Sequence, residues 1–461
     1  MSEAAEQNKL GSMKVNKLLL TMGLPIILSM MLQAVYNIVD SAFVSNMPET
    51  GELALNALTL AFPVQMLMVA IGIGTGVGTN ALLAMSLGQG DREKASRVAG
   101  NALFLAAVIY VVFLLFGIFG VDFYAGTQTA NSVIREMTVT YLRICCTLSI
   151  GIVFFSIFEK LLQATGHSGC STIAQITGAV LNIILDPILI YGWCGFPALG
   201  VSGAAYATVI GQIVSAVMGL VFHLWKNRGV KNGLHYMRPV GGIIKGIYAI
   251  GLPAIIAQAL MSFMTYGMNI ILGSIGENVV TAYGLYYKVQ QFILFAAFGL
   301  RDAITPVVSF NYGMGSRSRV KEGIRYGLLY TMVIMLIGMA AIELPAVPLS
   351  AVFGLSGETQ SICISTMRIV SLSFLFAGIN VAFQGIFQAL EGGLESLIIS
   401  VLRQFVLVLP VAWGFAQLAK QNSDLLWTVW LTFLIAEGVS ALVAALFMKR
   451  MDRRVISKLA S

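Results

Sequence analysis

The sequence is poor in charged residues. Only 11% of its 461 residues are Asp, Glu, Lys or Arg, whereas a typical soluble domain has about 25%. Because 57% of the residues are hydrophobic, the chain has too little polar surface to cover a water-soluble globule, and disorder, collagen and coiled coil are excluded as well. The net charge of +7 does not indicate nucleic-acid binding, since the basic residues lie in short loops between long apolar runs.

Cysteine and histidine are also scarce. The five cysteines are an odd number without a CxxC pair, so they indicate neither a disulfide framework nor a metal cluster. The three histidines are unclustered in the sequence, with no nucleophile or metal-ligand spacing around them: His167, His223 and His235. A P-loop is missing too. These absences argue against an enzyme, a cofactor-dependent protein and a primary pump.

Long apolar runs, by contrast, are abundant. A membrane-spanning helix needs about 20 mainly apolar residues, and the sequence contains twelve such runs. They cover residues 18–44, 54–78, 98–120, 139–163, 172–193, 200–224, 244–273, 280–308, 325–349, 365–388, 396–418 and 426–448. We therefore predict an all-α integral membrane protein with twelve transmembrane helices.

Basic residues are concentrated on one side of the twelve predicted spans. Twenty of the 28 lysines and arginines lie in the N-terminal tail, the 2/3, 6/7 and 8/9 loops and the C-terminal tail. Loops on the opposite side are acidic or neutral. Because short cytoplasmic loops are enriched in Lys and Arg, both termini are predicted to be cytoplasmic.

The two halves of the chain repeat each other. Gly23-Leu24-Pro25 recurs as Gly251-Leu252-Pro253, and Val64-Gln65, Gly88-Gln89-Gly90 and Gln163-Ala164 recur in the same order, at offsets of 228 or 225. Six helices per repeat make the halves parallel, with a pseudo-twofold axis along the membrane normal. The predicted parts are a tail (1–17), an N-lobe (18–224), a linker (225–245), a C-lobe (246–448) and a second tail (449–461). Such a duplication favours a secondary transporter with a central cavity.

A few polar residues interrupt the apolar helices, and such residues are the functional candidates. Gln33, Tyr36, Asn37 and Asp40 form one stripe on the first predicted helix, because their spacing is i, i+3, i+4 and i+7. Asn182 and Asp186 share a face of the fifth, just before Pro187, which leaves a backbone carbonyl free. Two carboxylates, an amide oxygen and a carbonyl suit a small cation, and close carboxylates also suit a proton.

Other membrane acids are secondary candidates. Glu159 lies near the cytoplasmic end of the fourth helix beside Lys160, whose side chain is expected to snorkel to the interface. Asp302, adjacent to Arg301, is either a structural ion pair or a second titrating site. Glu437, near the middle of the twelfth helix, is a candidate for substrate contact.

The repeat assigns the coupling-ion site to the first half. Asp40 corresponds to Met268, Glu159 corresponds to Gln384, and the eleventh helix has no acid that matches Asp186. The halves therefore share a scaffold but not these charges. Asp40→Asn or Asp186→Asn is predicted to abolish ion-driven transport.

Four segments resemble the multidrug and toxic compound extrusion (MATE) family, within it the MepA-like bacterial branch. They are residues 25–28 leading to 36–40, residues 87–91, residues 181–187 and residues 203–208. The resemblance covers essentially the whole chain. It implies a V-shaped pair of six-helix lobes in a bacterial plasma membrane that export drug-like cations in exchange for H+ or Na+.

The resemblance also implies which residues hold the coupling ion. Asp40, Asn182 and Asp186 match an N-lobe site of the family, and are also the residues that would bind Na+; Thr208 matches less securely, because the 5/6 loop varies in length. Glu159 matches an acidic position of the MepA-like branch. The seventh helix lacks the acid of other branches and has instead Gln258, Ser262 and Thr265.

Two other functions stay open at this point. A flippase for lipid-linked precursors or polysaccharides belongs to the same broad superfamily, but it is expected to line its cavity with Arg and Lys. A non-transporting membrane receptor would not need paired acids in one lobe. The expected partners are drug-like cations and membrane lipids, with no nucleic acid, and nothing in the sequence demands more than a monomer.

Overall fold

The computed structural model describes residues 8–48, 50–352 and 357–459, except for the side chains of Asn37 and Val352. Parts of both predicted tails, residues 1–7 and 460–461, lie outside these ranges. Within them the fold consists of helices and contains no β-strand. A short N-terminal helix, Lys9–Ser12, precedes the first long one.

Six long helices make up the first half. They are α1 (Val15–Ser45), α2 (Gly51–Gly88), α3 (Arg92–Gln128), α4 (Ser132–Thr147 and Ile150–Ala164), α5 (Ser168–Tyr191) and α6 (Val201–Lys226). Helix α3 includes a π-helical turn at Phe116–Gly120.

Six more make up the second half. They are α7 (Gly241–Gly273), α8 (Glu277–Gly313), α9 (Arg317–Glu343), α10 (Gly357–Ser371 and Phe374–Ala389), α11 (Gly393–Gln421) and α12 (Ser423–Lys458). Ten of the twelve are each long and apolar enough to cross a membrane, and α4 and α10 are so when their two parts are taken together. The predicted all-α architecture of twelve membrane helices is confirmed.

Two of the helices are broken, which the apolar pattern did not predict. Helix α4 bends by 46° and α10 by 51°. The breaks fall at Leu148-Ser149 and Leu372-Ser373, in corresponding places of the two halves. Neither pair of break residues contains proline or glycine, so the hydropathy pattern gives no sign of a break there. Instead, the amides of both serines bond three residues back, to Cys146 and Val370, which tightens the helix locally.

The loops between matching helices repeat as well. Gly90 and Gly315 have φ angles of 76° and 74°. They occupy the same position in the turns after α2 and α8, and a residue with a Cβ is disfavoured at such angles. The paired glycine motifs in the sequence therefore encode the same turn twice.

The chain forms two compact units, and two helices are divided between them. Unit 1 contains Leu28–Ile255 together with the chain start up to Lys9, and unit 2 contains Leu10–Ile27 and Ile256–Ser461. Thus the first part of α1 packs within unit 2, and the first part of α7 packs within unit 1. The lobes proposed from the repeat follow chain order and differ from these units in those two segments.

Each unit has an interior core and a largely apolar exterior. In unit 2, Tyr283 stacks on Trp430 with ring centroids 6.2 Å apart, and both residues are buried. Large apolar side chains such as Phe119 and Leu442 remain more than two thirds exposed. Exposed apolar surface of this kind is what a lipid-facing helix requires.

Candidate functional site

Helices α1, α5 and α6 bring the main candidate residues together inside unit 1. Asp40 lies on α1, Asn182 and Asp186 lie on α5, and Thr208 lies on α6. Asn182, Asp186 and Thr208 are each at most 4% exposed. We refer to Asp40, Asn182, Asp186 and Thr208, together with Tyr36, as the acid cluster.

Two glycines allow α5 and α6 to approach each other. A Cβ at Gly178 would lie 2.5 Å from the carbonyl oxygen of Gly211, and a Cβ at Gly211 would lie 2.6 Å from that of Gly178. Any larger residue would push the helices apart. Asn182, one turn beyond Gly178, therefore faces α6, where its Nδ2 donates a long hydrogen bond of 3.4 Å to Thr208 Oγ1.

The two carboxyl groups of the cluster are neighbours. Asp40 and Asp186 interact directly through their side chains. Oδ1 of Asp40 and both carboxyl oxygens of Asp186 are buried, and no hydrogen-bond donor reaches them among the residues that the structure describes. Two carboxylates cannot donate to each other unless one is protonated. A proton or another cation shared by the two groups would therefore stabilise the pair.

Two neutral groups complete the cluster. The Oδ1 of Asn182 is also buried with no donor among the described residues. The Tyr36 hydroxyl hydrogen-bonds Thr208 and lies near both carboxyl groups. The cluster thus contains four buried acceptor oxygens with no donor among the described residues, together with two hydroxyls. Oxygen ligands of this kind suit a hard cation.

The predicted polar stripe has two further members, Gln33 and Asn37. Gln33 precedes Tyr36 and Asp40 on α1, and its Oε1 accepts a 3.2 Å hydrogen bond from Gln175 Nε2 on α5. It therefore links the same two helices outside the acid cluster. The side chain of Asn37 lies outside the described residues.

The sequence argument missed a second layer of side chains. Gln65 Nε2 on α2 donates to the Tyr141 hydroxyl on α4 at 3.1 Å. Tyr141 and Cys145, in turn, interact electrostatically with Asp40. The signal was present, because Val64-Gln65 is one of the repeated pairs, but the repeat alone does not show which way a side chain faces.

Glu159 lies outside the cluster and has a buried cation beside it. Lys160 is only 2% exposed, and its Nζ lies 3.8 Å from Glu159 Oε1 and donates a 3.0 Å hydrogen bond to Gln163. The expectation that Lys160 snorkels to the interface was therefore wrong. Gly76 on α2 is the reason, since it leaves room for the lysine stem, whose Cγ would lie 2.7 Å from a Cβ there.

The candidate acids of unit 2 are both paired with arginine. Arg301 donates to Asp302 at 2.9 Å, so Asp302 forms the ion pair that was one of its two predicted roles. Arg403 binds Glu437 through Nε at 3.0 Å and Nη2 at 2.6 Å, and Asn380 Nδ2 donates to the same carboxylate at 2.7 Å. Glu437, predicted as a substrate contact, is thus held by side chains of the protein itself.

Comparison with known proteins agrees with this architecture. The sequence profile of the MatE family matches twice, at residues 25–188 and 253–413. The second match begins 228 residues after the first and ends 225 residues after it, the same offsets as the internal repeat. Together the two matches cover more than half of the chain.

Two relatives that match over most of the chain share one name. The chain is 26% identical over 435 residues to the multidrug export protein MepA of Staphylococcus saprophyticus, covering 94% of each. It is 25% identical over 432 residues to MepA of a Staphylococcus aureus strain, covering 94% of this chain and 93% of that protein.

Solved structures match over almost every residue. An outward-facing multidrug resistance MATE family transporter of the MOP superfamily superposes with a TM-score of 0.90 at 26% identity, covering 99% of each chain. A MOP superfamily transporter from Pyrococcus furiosus, described as having a binding pocket of reverse polarity that suggests a different function, reaches 0.86 at 27% identity, again over 99% of each. With its duplicated twelve-helix scaffold, the chain belongs to the MatE family of membrane transporters, which are secondary transporters and not enzymes.

Proposed function

We propose that this protein is a cation-coupled multidrug antiporter that works by alternating access. The observation that carries the proposal is the acid cluster: two adjoining carboxyl groups and an amide oxygen, buried in a membrane-spanning bundle with no donor among the described residues. Charge inside a membrane is costly unless it is neutralised. A cation that binds and leaves during each cycle would neutralise it.

Either H+ or Na+ fits the same atoms. A proton shared between Asp40 and Asp186 would convert one carboxyl into a donor for the other. Sodium would be held by the oxygens of Asp40, Asn182 and Asp186, with the Thr208 hydroxyl as a further ligand. In both cases the inward-moving ion removes negative charge from the cluster.

Coupling to export follows from that change of charge. A cationic drug and the ion would compete for the same carboxylates, or ion binding would bend α1 and displace the drug. Helix α1 carries both Asp40 and the internal Pro25, which removes one helical hydrogen bond and makes bending easier.

The proposed substrates are drug-like lipophilic cations. The MepA relatives are multidrug exporters by name, and the acid cluster supplies negative charge without a fixed counter-ion. A flippase for pyrophosphate-linked precursors would need free arginines. Here Arg301 and Arg403 of unit 2 are each committed to a carboxylate.

We propose a bacterial plasma membrane location with both termini cytoplasmic, because 20 of the 28 basic residues lie on that side of the spans. The lobes 18–224 and 246–448, with the linker 225–245, follow from the repeat. Nothing in this mechanism requires more than a monomer.

The deciding experiment is drug efflux in proteoliposomes under separately imposed pH and Na+ gradients, with ethidium as the cationic probe. Dependence on the pH gradient at constant Na+ assigns H+, and dependence on the Na+ gradient at constant pH assigns Na+. Efflux that depends on neither gradient would contradict ion coupling.

A further inference from the structure

A basic pocket lies in unit 1, where α2, α4 and α6 end. Its volume is about 280 Å³. The walls are the end of α2 at Leu87, the start of α3 at Arg92, the 165–167 turn between α4 and α5, and the end of α6 at Lys226 and Asn227. Lys9 of the N-terminal segment also lines it. Every lining residue belongs to unit 1.

Three cations from three separate segments face this space. Lys9, Arg92 and Lys226 line the pocket, and no acidic residue does. Across the described ranges none of the three forms an ion pair. The two acids next to Arg92 in sequence are engaged elsewhere: Asp91 caps α3 by accepting from the Lys94 amide at 2.9 Å, and Glu93 pairs with Arg97 at 3.3 Å. Among the described residues, the pocket is therefore positive and has no acidic side chain in its lining.

The start of α5 adds to this potential, and His167 stands at that helix end. His167 is the N-cap of α5 and makes no side-chain cap bond, so the positive end of a 24-residue helix dipole opens here. Burial lowers the pKa of His167, and the charges of Lys9 and Lys226 lower it further. Burial first, and these two charges after it, therefore disfavour protonation of the His167 imidazole.

A hydrogen-bond chain holds one wall of the pocket in place. Thr165 Oγ1 donates to Asn227 Oδ1 at 2.6 Å, and Asn227 Nδ2 lies 2.9 Å from His223 Nδ1. Since Thr165 Oγ1 also lies 3.2 Å from His167 Nδ1, two of the histidines belong to one hydrogen-bond network. The α4, α5 and α6 ends are fixed together by this chain.

The rim of the pocket has the features of a membrane interface. Trp225 is 58% exposed and Lys226 Nζ lies 3.9 Å above its ring. Val221 and Leu224, on the preceding turn of α6, are also more than half exposed. An exposed Trp beside Lys at a helix end is typical of the headgroup level. The apolar turns next to the pocket would then contact acyl chains.

We propose that this pocket binds a phosphate-bearing anion, and that the anion is the headgroup of an acidic phospholipid. Basic pockets between transmembrane helices on the cytoplasmic side are suited to such headgroups. The phosphate is held by Lys9, Arg92, Lys226 and the α5 N-terminus, while the chains lie along α6. This site is separate from the acid cluster and stands whether or not the proposed transport function is correct.

The test is phosphatidylglycerol binding to the full-length protein, measured by native mass spectrometry. We compare the triple variant Lys9→Gln, Arg92→Gln, Lys226→Gln with a control that removes as much charge from the start of α3 and the segment after α6, Lys94→Gln, Arg228→Gln, Lys231→Gln. Phosphatidylglycerol affinity should fall at least about tenfold in the first and little in the second. Phosphatidylcholine should bind weakly to all forms.

A second readout uses the unmodified protein. Phosphatidylglycerol should slow the reaction of His167 with diethyl pyrocarbonate and leave the exposed His235 unaffected. Glycerol 3-phosphate or inorganic phosphate that protects His167 at the same concentration would show a soluble anion and overturn the assignment to a lipid. Equal lipid affinity of the two triple variants, or no protection of His167, would overturn the site altogether.

Discussion

The two halves of this protein share a scaffold, but the acid cluster of unit 1 and Glu437 of unit 2 differ in what surrounds their carboxyl groups. In unit 1, Asp40 and Asp186 adjoin each other and no described residue donates to their buried oxygens. In unit 2, Glu437 is bound by Arg403 through two nitrogens. A buried carboxylate with a fixed cation is already neutralised, whereas a pair without one requires a cation from outside. The arrangement in unit 1 can couple to an ion, and the arrangement in unit 2 can hold helices together.

In a second comparison, one largely buried cation packs between the second and fourth helices of each half, but it comes from a different helix in each. Lys160 on α4 packs over Gly76 on α2, and Arg301 on α8 packs over Gly385 on α10, in both cases with a Cγ at 2.7 Å from the glycine's Cβ position. At the offset of 225, position 76 corresponds to 301 and position 160 to 385. The cation and the glycine have therefore exchanged positions between the halves. The fourth helix supplies the cation in the first half, and the second helix supplies it in the second half.

The largest expected effect is the loss of coupling on neutralising the acid cluster. Asp40→Asn and Asp186→Asn should reduce gradient-driven ethidium efflux to the passive leak, because neither amide can take up a proton or balance the charge of a bound cation. The exposed acid Glu277, changed to Gln, is the control and should leave efflux intact. Full transport by both cluster variants would contradict the assignment.

Breaking the ion pair of unit 2 should affect stability more than coupling. Arg403→Met leaves Glu437 buried without its cation and should destabilise the protein by about 3–5 kcal/mol, measured by thermal unfolding in detergent. The double variant Arg403→Met, Glu437→Met should recover most of that loss and keep gradient-driven efflux. If the double variant were stable but uncoupled, unit 2 would share the role of the acid cluster.

The free energy of unfolding should be sensitive to one methyl group added at Gly76 or Gly385. Gly76→Ala and Gly385→Ala should each cost about 1–3 kcal/mol, because the added Cβ overlaps the stem of Lys160 or Arg301. The matched control is Gly284→Ala on α8, where nothing lies within 4 Å of the new Cβ. It should be neutral or stabilising by about 1 kcal/mol. Equal unfolding temperatures for all three would show that the stems move aside freely.

The smallest effect should come from a single hydroxyl. Thr208→Val removes the group that Asn182 and Tyr36 bond, and it should weaken the apparent affinity for the coupling ion about fivefold, equivalent to about 1 kcal/mol. Thr432→Val in unit 2 is the control, since that buried hydroxyl has no partner among the described residues. Equal ion dependence of efflux in the two variants would remove Thr208 from the site.

Much of the site follows from local spacing. The i, i+4 relation of Asn182 and Asp186 puts both on one face of α5, as the i, i+4 relation of Tyr36 and Asp40 does on α1, and the structure brings these four residues together with Thr208. Gln65, Tyr141 and Cys145 could not be found in this way. They lie on α2 and α4, and only helix packing decides that they face Asp40.

The sequence by itself determined the membrane class, the twelve spans and the duplication, because hydropathy and repeat offsets are properties of chain order. Only the tertiary structure decided which charges are neutralised. Lys160 and Glu437 are both charged residues within apolar helices, yet Lys160 is buried over a glycine and Glu437 is bound by an arginine 34 residues away. A charge in a membrane is stabilised by what packs against it, and packing joins residues that the sequence keeps apart.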